Sequence, residues 1–253
     1  MKKSFAKRRY SVLFLVVIMI FLLALSGCAE KPAEVEQPDA NQPEESVGSQ
    51  QKTDIAANFP GTSLREEELA QFNEIYAAQA TSSDFLPVSA FFTSLYDDAT
   101  ELEFAEFLRY YPADGALDST DDAEFEALSK LPGFPWKAED FGLETLTVND
   151  LPTPTHRILR SSVDETLQKY AGITTADLKN TEGVFYLPEY DAYYNFTSDF
   201  GPGVFVCVGG KRDGDVVRLW SDTHGYDGSV EILTLQDADG TYYIKSFQNK
   251  QFA

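Results

Sequence analysis

Apolar positions recur at helical spacing through the first half of this chain and at strand spacing through the second. Leu64, Leu69, Phe72, Ile75 and Tyr76 fall mostly on one helical stripe, and Ser63 with Glu66 has capping-box spacing. Val88, Phe91, Phe92 and Leu95 after Pro87 predict a second helix, and Leu102, Phe104, Phe107 and Leu108 before Pro112 a third. A short helix is expected over 121–131, followed by a compact turn with an aromatic anchor, Pro132-Gly133-Phe134-Pro135-Trp136. The last helix is placed from Ser162 and Glu165 through Val163, Leu167 and Tyr170 to a stop at Gly172.

After Gly172 the period changes. Runs at 184–187, 190–196, 204–208, 215–220, 230–235 and 242–247 predict successive strands. Turn chemistry joins them at Lys211-Arg212-Asp213-Gly214-Asp215 and Asp237-Ala238-Asp239-Gly240, and links of hairpin length require antiparallel pairing. The expected fold is α+β, a single domain over 59–253. A helical part over 59–180 packs on a twisted, mostly antiparallel sheet formed by 181–253.

Ahead of the domain, Lys2, Lys3, Lys7, Arg8 and Arg9 precede an uncharged apolar run from Val12 to Leu25, which leads into Leu25-Ser26-Gly27-Cys28. This arrangement resembles a bacterial lipoprotein signal. The resemblance implies removal of residues 1–27, lipid on Cys28, and a location on the outer face of the bacterial cytoplasmic membrane. An uncleaved anchor is the alternative, since about 20 apolar residues span a bilayer and this run is slightly short of that. Residues 28–58 read as a flexible acidic stalk: no aromatic residue occurs from Ala29 to Ala57, while Pro, Glu and Gln accumulate. A free chain of that length has a reach of about 30 Å.

Charge narrows the partners. The chain carries 20 basic and 41 acidic residues, a net charge of −21, and loss of the leader takes five basic residues and no acidic one. That balance argues against nucleic acid, whose affinity comes from Lys and Arg neutralising phosphates, and against direct adhesion to anionic lipid. With Cys28 committed to lipid, Cys207 is the remaining cysteine, so no intramolecular disulfide forms. Its setting, Val204-Phe205-Val206-Cys207-Val208, is that of a buried strand, where a free cysteine acts as a small hydrophobe.

Lys169-Tyr170-Ala171-Gly172-Ile173, the run from Tyr186 to Phe196 and then Gly209-Gly210 with a hairpin resemble a C-terminal module of lipoproteins from low-GC Gram-positive bacteria. Similar modules follow the membrane part of some BlaR-type metallopeptidase homologues. The family carries no agreed activity, so the resemblance implies a surface location and no catalytic residue. The metallopeptidase signature His-Glu-x-x-His is absent from this chain.

Candidate chemistry is sparse. Glu189, Asp191 and Tyr193 lie in a Tyr-rich segment suited to stacking on sugar rings, with carboxylates to accept hydroxyl hydrogen bonds. Strand alternation puts Tyr190, Ala192 and Tyr194 on one face and Asp191, Tyr193 and Asn195 on the other, so one face is expected to be core and the other free for a ligand. Asp222, His224 and Asp227 form a second cluster that suits a cation or acid/base work, set against the simpler reading of a solvated loop. Asp237-x-Asp239-Gly240 reads as a hairpin turn rather than a calcium loop, for which the further oxygen ligands are missing. Neither a metal nor a cofactor is expected. The leading expectation is a noncatalytic module that recognises a protein, peptide or envelope component. A carboxylate-dependent hydrolase acting on carbohydrate stands second, and a solute-binding lipoprotein of a transporter third.

Overall fold

Residues 55–196, 203–224 and 229–252 are described by the structure, a computed structural model. The fold is α+β, with helices and two antiparallel sheets. The larger sheet has the order β1-β6-β7-β8-β9, formed by Thr62–Ser63, Cys207–Asp213, Val216–His224, Val230–Ala238 and Thr241–Lys250. The smaller has the order β2-β3-β5-β4, formed by Gly115–Ala116, His156–Leu159, Ala192–Asn195 and Phe185–Leu187. The single sheet expected over 181–253 is therefore two, and β1, β2 and β3 come from the half read as helical. These three strands are only two to four residues long, too short to leave a period in the sequence.

The helices are α1 (Glu66–Tyr76), α2 (Phe104–Arg109), α3 (Asp122–Ser129) and α4 (Arg160–Ala171). Glu68 rather than Glu66 closes the first capping box, its carboxylate accepting from the Arg65 backbone N–H at 3.1 Å. Ser63 instead belongs to β1. Leu159 caps α4, and Ser162, inside the helix, donates its hydroxyl to Asp114 at 2.7 Å. The segment Pro87–Phe92 is a tighter 3-10 turn, which leaves Leu95 half exposed rather than on a helical stripe. At Gly172 the chain turns left-handed with φ 70° and ends α4 as expected.

Long β-hairpins build the larger sheet. Asp239 and Gly240 both have positive φ between paired Ala238 and Thr241, the geometry of a two-residue type I′ turn. Asp237 fixes that turn from outside, accepting the Gly240 N–H at 2.8 Å and the Arg212 guanidinium at 2.6 Å. Strand β6 starts at Cys207 and runs on through Gly209 and Gly210, past the apolar run expected to be the strand. Glycine weakens strand patterning, yet here it permits close approach: a Cβ at Gly209 would lie 2.4 Å from the Trp220 indole.

One face of the larger sheet and α1, α2 and α4 enclose the main core, which is dense in aromatics such as Phe91, Phe104, Phe107, Phe205 and Phe247. Asn73 ties α1 to β6 by bonding both backbone groups of Cys207, at 2.9 and 2.8 Å. A second core, with Phe125, Leu128, Leu187, Ala192 and Tyr194, joins α3 to the smaller sheet. A third lies on the outer face of the larger sheet, where Ile55, Phe59 and Phe252 cover Trp220, Val230 and Ile232. Ile55 is only 3 % exposed, so the folded part takes in residues 55–58, which composition assigns to the stalk.

Strand β5 separates the first two cores. Tyr193 belongs to the main core and Tyr194 to the second, at 7 % and 3 % exposure. Tyr193, on the face expected to be free, is therefore core, because α2 and α4 cover that side, while Asn195 on the same face stays half-buried and Asp191, in the turn before β5, is exposed. Among the described residues no helix is long and apolar enough to cross a membrane.

Candidate functional site

The residues singled out by sequence do not form one site. Glu189 lies exposed in the four-residue turn between β4 and β5, and Tyr193 is core. Asp222 is exposed on β7, in the other sheet, and His224 ends that strand. Asp227 and Cys28 lie outside the described residues. Among the described residues, no group of three or more His, Cys, Asp and Glu side chains is placed to hold a metal ion.

Asp191 clips the β4–β5 turn to the start of α4. It has φ 47°, and its carbonyl accepts the Arg160 N–H at 3.0 Å. Its carboxylate takes the Arg160 Nε–H at 2.7 Å and the Tyr186 hydroxyl at 2.6 Å. These two donors hold the carboxyl below the usual carboxylate range, and the Tyr186 hydroxyl is pushed up because it donates to an anion. A general acid needs the opposite shift. Because the folded value is lowered, the clip contributes fully above the ordinary carboxylate pKa and is lost as pH falls through the lowered value. An acid titration followed by NMR is expected to release the Arg160 Nε–H signal in that window. Asp191→Asn, which tolerates the left-handed backbone, should release it at neutral pH.

A concave aromatic surface lies at the rim of the second core. The turn Pro132 to Trp136, with Gly133 at φ 82°, drives Phe134 edge-on against Phe125 at 6.0 Å and Phe196 at 5.5 Å. Trp136 is thereby held against Phe196, centroids 4.8 Å apart and rings at 85°, and Phe185 meets Phe196 at 5.4 Å. These edge-to-face contacts orient the rings against one another. The result is a groove of about 350 Å³ lined by Trp136, Phe185, Phe196, Tyr194, Arg109 and Asn195, among others. Asn195 donates to the Leu108 carbonyl at 2.7 Å, and Arg109 lies 3.5 Å from Glu106, so the polar rim is oriented by α2.

Below the groove, the Tyr194 hydroxyl donates to Glu124 at 2.5 Å, and Arg157 bonds the other oxygen of that carboxylate at 2.9 Å. Glu124 is only 4 % exposed while Arg157 is half-buried, so the triad is a girder between α3 and the smaller sheet built around a buried carboxylate. Burial and the neighbouring carboxylate push the Tyr194 hydroxyl well up, keeping it a donor.

Two further groups are set by burial. The Cys207 thiol is pushed up to about 11, lies 3.6 Å from the Leu69 carbonyl, and is held as a neutral thiol. Glu231, half-buried on β8, has its carboxyl raised by desolvation against the opposing pull of a Ser221 hydrogen bond. Nothing in the sequence pattern marks Glu124, Glu231 or the groove. The dense aromatics of 134–136 were visible, but their convergence with Phe185 and Phe196 depends on strand pairing. No protein-family model, curated protein or solved structure matches the chain.

Proposed function

We propose that this chain is an extracytoplasmic lipoprotein, anchored through Cys28, whose domain serves as a noncatalytic recognition module and uses the Trp136 groove to hold a protein or peptide partner. The observation that carries the reading is the groove itself. It sets rigid, half-buried aromatic rings beside an oriented guanidinium and amide, and such grooves take extended peptides with apolar side chains. Support for the tether comes from the leader-like run ending at Cys28 and the acidic, aromatic-free segment after it. The hydrolase alternative is weakened by Asp191, whose carboxyl is committed to Arg160 and Tyr186 and shifted away from acid catalysis.

Crosslinking the tethered protein in its own cells, with the captured partners identified, tests this reading. Capture of a defined protein or peptide that is lost in Trp136→Ala, with the thermal midpoint within a few degrees of the parent, is the expected result. Capture of glycan alone, or capture indifferent to Trp136→Ala, would displace it.

A further inference from the structure

Both ends of the described chain meet over the outer face of the larger sheet. Residues 55–59 and Phe252 cover Trp220, Val230 and Ile232, a cluster separate from the main core. Phe59 stacks on Trp220 with centroids 5.9 Å apart and rings at 16°, and Phe252 meets Phe59 edge-on at 5.8 Å. The Phe59 carbonyl accepts from Lys211 Nζ at 2.8 Å, and the Arg218 guanidinium sits 6.0 Å from the Phe59 ring. The backbone bonds of Asn58 and Phe59 run within the segment itself, to Ile55 and Ala56. Ladder pairing to the sheet begins only at Thr62 and Ser63, opposite Arg212 and Lys211. Side chains rather than strand pairing therefore hold this segment down.

Its pivot is also defined. Gly61 has φ 99°, and a Cβ there would lie 2.2 Å from the Arg212 carbonyl, so the chain is pressed onto β6 just after the segment ends. Beneath the segment, the Trp220 indole N–H is buried with no hydrogen-bond partner among the described residues. A buried donor without an acceptor is a standing cost that contact with water removes.

We propose that residues 55–59 are a strap that releases from the sheet as a unit while the rest of the domain stays folded, and that its release uncovers the Trp220 face. Local units of this kind open below the energy of global unfolding when few contacts hold them. The device belongs to the folded domain, so its failure leaves the reading of Cys28 untouched, and the converse also holds.

Hydrogen exchange on the full chain across sub-denaturing urea tests it, together with acrylamide quenching of Trp220 in a Trp136→Phe chain. Amides of 58 and 59 are expected to exchange on the order of tenfold or more faster than those of β7 and β8, with a shallower urea dependence. Phe59→Ala should raise Trp220 quenching several-fold and leave β7 and β8 protection in place. If strap exchange and Trp220 quenching rise only in step with β7 and β8, the strap is part of the global unit and the proposal fails. Should Trp136→Phe not fold, exchange on the unaltered chain decides alone.

Discussion

Replacing Glu124 with alanine is expected to cost about 2–4 kcal/mol, because it leaves a buried hydroxyl and a half-buried guanidinium without their acceptor. Glu124 is 4 % exposed, Tyr194 is 3 % exposed, and the Arg157 side chain keeps a third of its surface in water. Arg157 also lies 3.8 Å from Asp121, which softens the loss without replacing the shorter bond. Tyr194→Phe removes only the neutral donor and should cost about 1.5–3 kcal/mol, the range for hydrogen bonds to charged groups. The double variant should fall short of the sum, since both changes break one network. Urea unfolding of the four proteins measures this. A Glu124→Ala loss under about 1 kcal/mol would mean that the triad is not a girder.

Gly209→Ala is expected to lose about 1–3 kcal/mol, although alanine normally suits a folded chain better than glycine. The added methyl would sit 2.4 Å from the Trp220 Nε1, and that indole is pinned from above by Phe59. A rigid indole has to shift as a whole against the stacked Phe59, where a flexible side-chain tip would turn away. Trp220→Leu alone should also destabilise, by emptying the third core. Combining Gly209→Ala with Trp220→Leu should cost less than the sum, because the smaller side chain vacates the space. Additive losses in thermal or urea unfolding would mean that Gly209 is needed for its backbone rather than for the indole.

How far the fold can be read from the sequence depends on element length. Helix α4 and strands β7 to β9 carry apolar periods within elements of nine to twelve residues, with Gly172 and Gly240 marking ends, so their presence is legible. Strands β1 to β3 leave no such mark, and without them the division into two sheets is hidden. Gly209 and Gly210 read as a strand end, yet they sit inside β6 because Trp220 and Leu64 occupy the space a Cβ would take. In the Tyr-rich segment, alternation correctly separates Tyr193 from Tyr194. It says nothing of α3 covering the second face, which is a property of the tertiary arrangement.

The site was less legible than the fold. Asp191 draws notice as a carboxylate among tyrosines, but its partner Arg160 lies 31 residues away and turns it into a clip. Glu124 reads as an ordinary surface acid of a short helix, since its neighbours Asp122 and Glu126 are polar. Its burial follows from Arg157 and Tyr194, which reach it only once β3 and β5 have paired. Groove aromatics from three separate segments meet for the same reason.

Mass spectrometry of the intact protein isolated from its native membrane is the most direct test of a tethered module. A mature chain beginning at Cys28, with acyl chains on that residue and no leader, is the predicted result. A chain that retains residues 1–27 with an unmodified Cys28, recovered from the cytosol, would contradict it.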